Sequence, residues 1–198
     1  MSESKYIQAA KEWICGKYPY NRTHLLQSLE WLDRIAPGSS EAVRLAALTH
    51  DMERAFPGPD QPIAGPGKMN DPEYYAAHSE RSARIVGAWL REHGLDEPAV
   101  AQVEGLIQAH EIGGWPEADL VQAADSLSFL ETNVDLFIGM LRQGTRTYEE
   151  IAGKFDETYE RIRVPFAKQV ALPMYRHAVG RLKAVRAELA RISKVSGC

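Results

Sequence analysis

The stretch Ser40-Glu41-Ala42-Val43-Arg44-Leu45-Ala46-Ala47-Leu48-Thr49-His50-Asp51 decides how the chain is read. A serine able to cap is followed by an acid in the first turn and then by an apolar stripe. Val43, Ala46 and Ala47 precede His50 by seven, four and three residues. That spacing is helical, and it puts the imidazole on the stripe that faces a core. Asp51 continues the row of Ala47 and Leu48, so it leans the same way. Two adjacent polar groups at a buried helix end need partners.

The same grammar recurs on both sides. A first helix is expected over about Ser4 to Cys15, stopping at Gly16, and a second from near Asn21 to Pro37-Gly38. The helix through His50 is expected to reach about Arg54. Asp71-Pro72-Glu73 combines a capping carboxylate, proline at the first helical position and a first-turn acid; that helix should run to His93, with Gly94 as its stop. Asp96-Glu97-Pro98 opens the next, ending by Gly113-Gly114. Pro116-Glu117 opens another, extending past Asp125 towards Arg142. Thr147-Tyr148-Glu149-Glu150 is a capping-box pattern. Pro165 ends that helix, and a helical tail kinked at Pro173 runs to about Val195. No β-type alternation is sustained. The expected fold is all-α: a single-domain helical bundle over residues 1–198, with a core at about 21–130 and C-terminal helices at 147–195 packed on it. The Phe56–Asn70 connection, rich in Pro and Gly, reads equally as a binding loop or lid and as a surface crossing.

Composition narrows the function. The 198 residues are 44% hydrophobic and 25% charged with a net charge of -4, which suits a globular domain and argues against a polymeric nucleic-acid or membrane footprint. No apolar run approaches a bilayer span. The opening Met1-Ser2-Glu3-Ser4-Lys5 lacks the pattern of a secretory signal, and the expected location is cytoplasmic. Cys15 and Cys198, the only cysteines, offer no thiolate metal site.

His50 and Asp51 are not alone. His78 shares a row with Ser82, Ile85 and Trp89; His110 follows Val103, Leu106 and Ile107; Asp125 lies between Val121 and Phe129; His24 projects with Ser28 and Trp31. Taken singly, each reads as a hydrogen-bonded core residue or a cap. Taken together, six buried groups each costing roughly 1–3 kcal/mol if unpartnered would erode most of a domain's ~5–15 kcal/mol stability. Convergence on metal removes the conflict, because imidazole and carboxylate are ligands for divalent metals. His93 and His177 fall outside the set, at a helix end and in the basic tail.

The order His24, His50-Asp51, His78, His110, Asp125 resembles the HD-domain superfamily of metal-dependent phosphohydrolases, whose eponymous motif is the adjacent His-Asp pair. His78 and His110 match the extra histidines of its binuclear branches. The resemblance implies one metal on His24, His50, Asp51 and Asp125, with Asp51 bridging to a second on His78 and His110. The two divalent ions would be drawn from Fe, Mn, Co, Ni, Mg or Zn. Glu53 stands where relatives commonly carry glycine, and Asp125-Ser126 lacks the basic residue that often follows the last aspartate. No Gly-Tyr-Pro motif follows the set, which points away from the cyclic-dinucleotide phosphodiesterase branch.

Such a centre would carry about +2 charge and a bridging water acidified to hydroxide near neutral pH, fit to hydrolyse a phosphate ester. The expected substrate is a small phosphorylated molecule, a nucleotide among the candidates. Arg54, Lys68 and Arg81 are candidate phosphate contacts, Asp51 and Glu111 candidate catalytic groups. Two other readings share these ligands. One is a mixed-valence di-iron oxygenase, with Tyr18 and Tyr20 as candidate active-site tyrosines. The other is a non-catalytic regulatory or binding module. Trp13 and Trp115 are candidates for an oligomer interface.

Overall fold

A computed structural model describes residues 3–63, 65 and 69–196. The elements are α1 (Lys5–Lys17), α2 (Arg22–Ile35), α3 (Glu41–Thr49), a 3-10 turn (Met52–Ala55), α4 (Pro72–Glu92), α5 (Glu97–Ala109), α6 (Pro116–Thr132), α7 (Val134–Gln143), α8 (Tyr148–Glu160) and α9 (Pro165–Ser196). No strand occurs among the described residues. None of the described helices is long and apolar enough to cross a membrane.

Local chemistry sets most helix starts. Ser40, Asp71 and Asp96 accept hydrogen bonds from the backbone N–H groups of Val43, Glu73 and Ala99. Thr147 and Glu150 form the reciprocal capping box: Glu150 N donates to Thr147 Oγ1 at 3.1 Å, and Thr147 N donates to Glu150 Oε2 at 2.8 Å. At the end of α5 the chain turns through Gly113 (φ 64°) and Gly114 (φ 127°), where Gly114 N donates to Asp119 Oδ1 at 2.8 Å. A Cβ on Gly113 would lie 2.2 Å from that carboxylate, so the turn that follows His110 and Glu111 requires glycine.

Two apolar clusters meet on α6. One joins α1 to α5 with Ala118, Val121 and Ala124; the other joins α7 to α9 with Ala123, Leu127 and Leu130. Helix α6 is therefore buried almost all round, and Asp125 sits in its middle. α2 lies along α6, α4 along α5, and α3 contacts α1, α2, α5 and α6. The arrangement directs the C-terminal end of α3 towards the middle of α6.

Three expectations differ from this structure. The helix through His50 ends at Thr49, with a separate 3-10 turn after Asp51. The helix begun at Pro116 does not reach Arg142: it stops at Thr132, and Asn133 separates it from α7. Pro165 does not end α8, which already stops at Glu160, but is the first residue of α9; the tail is helical to Ser196 with Pro173 inside it, as expected.

Candidate metal centre

Helices α2 to α6 bring His24, His50, Asp51, His78, His110 and Asp125 into one buried cluster, none more than 6% exposed. The rings form a continuous row. Centroids are 5.3 Å apart for His24 and His50, 4.9 Å for His50 and His110, and 5.4 Å for His110 and His78. Among the described residues, three overlapping groups hold donor atoms within 4.8 Å of one another: His24, His50, Asp125; His50, Asp51, His110; and His78, His110, Glu111.

The hydrogen bonds fix the imidazole tautomers. His50 Nδ1 lies 3.0 Å from Ala47 O and His110 Nδ1 2.6 Å from Ile107 O. A carbonyl can only accept, so both Nδ1 atoms carry the proton. His78 Nδ1 donates to Glu53 Oε1 at 2.9 Å. The Ser128 hydroxyl donates to His24 O at 2.7 Å, so its oxygen accepts from His24 Nδ1 at 2.9 Å. All four Nε2 atoms are thereby left as lone pairs directed into the cluster.

Those lone pairs meet further acceptors. Asp125 Oδ1 is 3.1 Å from His24 Nε2 and 3.3 Å from His50 Nε2, and Asp51 Oδ1 is 2.9 Å from His78 Nε2. The Nε2 atoms of His50, His78 and His110 have no hydrogen-bond partner. Acceptor facing acceptor at this range requires a cation between them, either a proton or a metal. The donor set fits a divalent metal: imidazoles with pinned rings, whose Nε2 atoms a metal would take in place of a proton, beside ionised carboxylates.

Electrostatics follow from the same contacts. Burial disfavours the His50 imidazolium, but the Asp125 and Asp51 carboxylates outweigh it and lift the group to about 9. Burial lowers His110 to about 4, against the pull of Glu111. Burial opposes ionisation of Asp51 and Asp125, yet Arg54 and Arg161 respectively hold both well below the usual carboxylate range. Glu111 is lowered to about 2: burial acts against the carboxylate and Arg161 overcomes it.

The expected phosphate contacts separate. Arg54 lines the cavity over the cluster, its Nε 3.3 Å from Asp51 Oδ2 and without a hydrogen-bond partner. Lys68 lies outside the described residues. Arg81 is elsewhere: Nη1 donates to Glu53 Oε2 and Glu53 O, both at 2.9 Å, and Nη2 donates to Phe56 O at 2.7 Å and Asp60 Oδ1 at 3.1 Å. It fastens Glu53 behind His78, and a phosphate contact is not the role its geometry gives it. Glu111 does face the cavity, with Oε1 3.7 Å from His110 Nε2 and Oε2 held by Arg161.

Tyr18 is packed in the core and Tyr20 donates from its hydroxyl to Arg54 O at 2.5 Å; neither lines the cavity. Trp13 stacks on Trp89 at 4.6 Å, while Trp115 stays 42% exposed. The described part of the Phe56–Asn70 connection is tied down by Arg81, by Arg146 donating to Gly65 O at 3.2 Å, and by Tyr75 donating to Asn70 Oδ1 at 3.2 Å.

Three functional positions escaped the sequence reading. Glu53 links His78 to Arg81. Arg161 of α8 binds Asp125 and Glu111 and donates from Nε to Ser126 Oγ at 2.9 Å. Lys154, also of α8, lines the cavity and donates to Tyr75 Oη at 2.8 Å. The site thus draws on α8, beyond the 21–130 segment expected to hold it. A faint signal existed for these two: Lys154, Glu157 and Arg161 follow helical spacing beside the apolar Ile151, Phe155 and Ile162.

A family profile described as a domain of unknown function, DUF4202, matches residues 7–184. No curated protein and no solved structure matches the chain.

Proposed function

We propose that this chain, which belongs to the DUF4202 family, is a metal-dependent phosphoester hydrolase of the HD-domain type. One observation carries the reading: buried imidazole lone pairs on His50, His78 and His110 have no donor to meet, and those of His50 and His78 face carboxylate oxygens. Divalent cations satisfy every one of these atoms at once. The order of the ligands along the chain supports the HD-type assignment, in which His24, His50, Asp51 and Asp125 would hold one ion and Asp51, His78 and His110 would hold a second.

When bound, such ions acidify water and polarise a phosphoryl oxygen. The protein's own groups do the rest. Arg54 presents a guanidinium fork to the cavity, matched to the oxygens of a phosphate. Arg161 holds the outer oxygen of Asp125, leaving Oδ1 turned towards His24 and His50. Glu111, ionised at neutral pH and held by Arg161, is placed to accept a hydrogen bond from the attacking water and so orient it; its low pKa makes it unsuited to protonate the leaving oxygen. Asp51, Glu53, Glu111 and Asp125 are matched in number by Arg54, Arg81, Lys154 and Arg161, so any bound divalent cation turns the cavity cationic and favours an anionic substrate.

Metal content per chain, measured for wild type and His78→Ala beside hydrolysis of a phosphomonoester panel, tests this. The variant should lose roughly one of two ions and most of its activity. Full metal content and full rate in His78→Ala would overturn the binuclear hydrolase. Turnover that instead requires iron and dioxygen would replace it with the oxygenase.

A further inference from the structure

The cavity continues past the metal cluster. Arg54, Glu111, Phe137, Met140 and Lys154 line both the lobe over the cluster, about 120 Å3, and a second lobe of about 150 Å3. The second lobe is walled by Met69, by Tyr74 of α4, and by Phe137 and Met140 of α7. These four side chains are half-buried. Of its polar wall groups, Lys154 is engaged with Tyr75 Oη and Glu157, and Arg146 with Gly65 O and Glu150, while Arg54 and Glu111 are shared with the lobe over the cluster. Beyond Arg54 and Glu111, a ligand body there would meet thioether and aromatic faces.

Size points the same way. The two lobes, about 120 and 150 Å3, together reach only the lower end, ~300 Å3, of sites for organic ligands, which suits a compact substrate. A nucleotide would need room for both a ribose and a base beyond the phosphate, more than the second lobe of about 150 Å3 offers. A phosphate at Arg54, with a small apolar group passing into the second lobe, fits both the volume and the chemistry of the walls.

We propose that this lobe is the leaving-group subsite and that it selects a compact apolar alcohol, making the substrate an aryl or short-alkyl phosphomonoester; this rests on the hydrolase reading above. Water adds to phosphorus, the bond from phosphorus to the alcohol oxygen breaks, and the products are the free alcohol, which gains a proton, and inorganic phosphate.

The test compares kcat/KM of the metal-loaded full chain for phenyl phosphate, glycerol 3-phosphate and adenosine monophosphate. Calorimetric binding of phenylphosphonate, methylphosphonate and inorganic phosphate accompanies it. Phenyl phosphate should exceed both other esters by at least about tenfold, and phenylphosphonate should bind at least about tenfold tighter than methylphosphonate. Met140→Trp, which fills the lobe, should weaken phenylphosphonate at least about tenfold more than it weakens inorganic phosphate. Equal rates on all three esters, or a preference for the nucleotide, would overturn the subsite while leaving the hydrolase intact. No hydrolysis of any ester, together with no binding of inorganic phosphate, would bring down both.

Discussion

Replacing Glu53 by glutamine keeps the length of the side chain and removes its charge. In the wild type, Oε1 accepts from His78 Nδ1 and Oε2 from Arg81 Nη1, each at 2.9 Å, in a pocket where Glu53 is 1% exposed. An amide has one oxygen for these two donors. If it faces His78, the new NH2 faces the Arg81 guanidinium, donor against donor. If it faces Arg81, the NH2 faces His78 Nδ1, and the imidazole must move its proton to Nε2, which abolishes ligation. Loss of a charge-assisted hydrogen bond to a buried group costs about 1.5–3 kcal/mol. Arg81 retains Phe56 O, Glu53 O and Asp60, so about 2 kcal/mol is expected for the metal-free protein. Metal affinity at the His78 position should fall roughly ten- to a hundredfold. Urea denaturation in chelator reads the first quantity, and competition with a chromophoric chelator reads the second. A Glu53→Gln protein with the wild-type urea midpoint and wild-type metal affinity would refute the tautomer argument.

Arg161→Gln leaves Asp125 and Glu111 without their counter-charge and should destabilise the metal-free protein by about 3–5 kcal/mol. Added metal should then raise its Tm more than it raises that of wild type, and an equal rise would contradict the assigned role. Arg54→Ala should increase KM for a phosphomonoester about ten- to a hundredfold through one lost charge-assisted contact; an unchanged KM would remove Arg54 from the substrate site. The pH response of the metal-free protein follows from His50. Its folded-state value of about 9 lies above an unfolded value of about 6.5, so its contribution is complete below pH ~6.5 and disappears as pH rises through 9. The contribution is at most about 3 kcal/mol, and His78, also raised, acts in the same direction. Melting in chelator between pH 6 and 9 should show that decline, and saturating metal should suppress it because ligation keeps the imidazole neutral. Parallel curves with and without metal would speak against ligation by these histidines.

Much of the fold was legible because its start signals are local. Asp71-Pro72-Glu73, Asp96-Glu97-Pro98 and the Thr147 capping box need only neighbours in sequence, and each opens a helix where expected. Helix ends were harder. Asn133 carries no glycine or proline signal, and α6 and α7 part there as the chain leaves one apolar cluster for the other. The clustering of His50, His78 and His110 was readable from apolar periodicity, since each shares a row with buried neighbours. Glu53 sits in a 3-10 turn, where the 3.6-residue period fails, and Arg161 lies 36 residues from the aspartate it binds. A charged side chain in either position reads as solvent-facing until the tertiary structure supplies its partner.

His50 and His110 each occupy the cap position immediately after a helix, and each bonds through Nδ1 to the carbonyl three residues back. A carbonyl of the last helical turn sets the ring's protonation pattern, and at Ile107 the same oxygen also accepts from the His110 N–H at 3.2 Å. Helix length and coordination chemistry are therefore one variable at these two places. A single residue inserted near the start of α3 or α5 would rotate the helix end by about 100°, carrying the imidazole and its carbonyl together away from the cluster. Drift in the lengths of these helices is constrained by ligand chemistry more tightly than packing alone would demand.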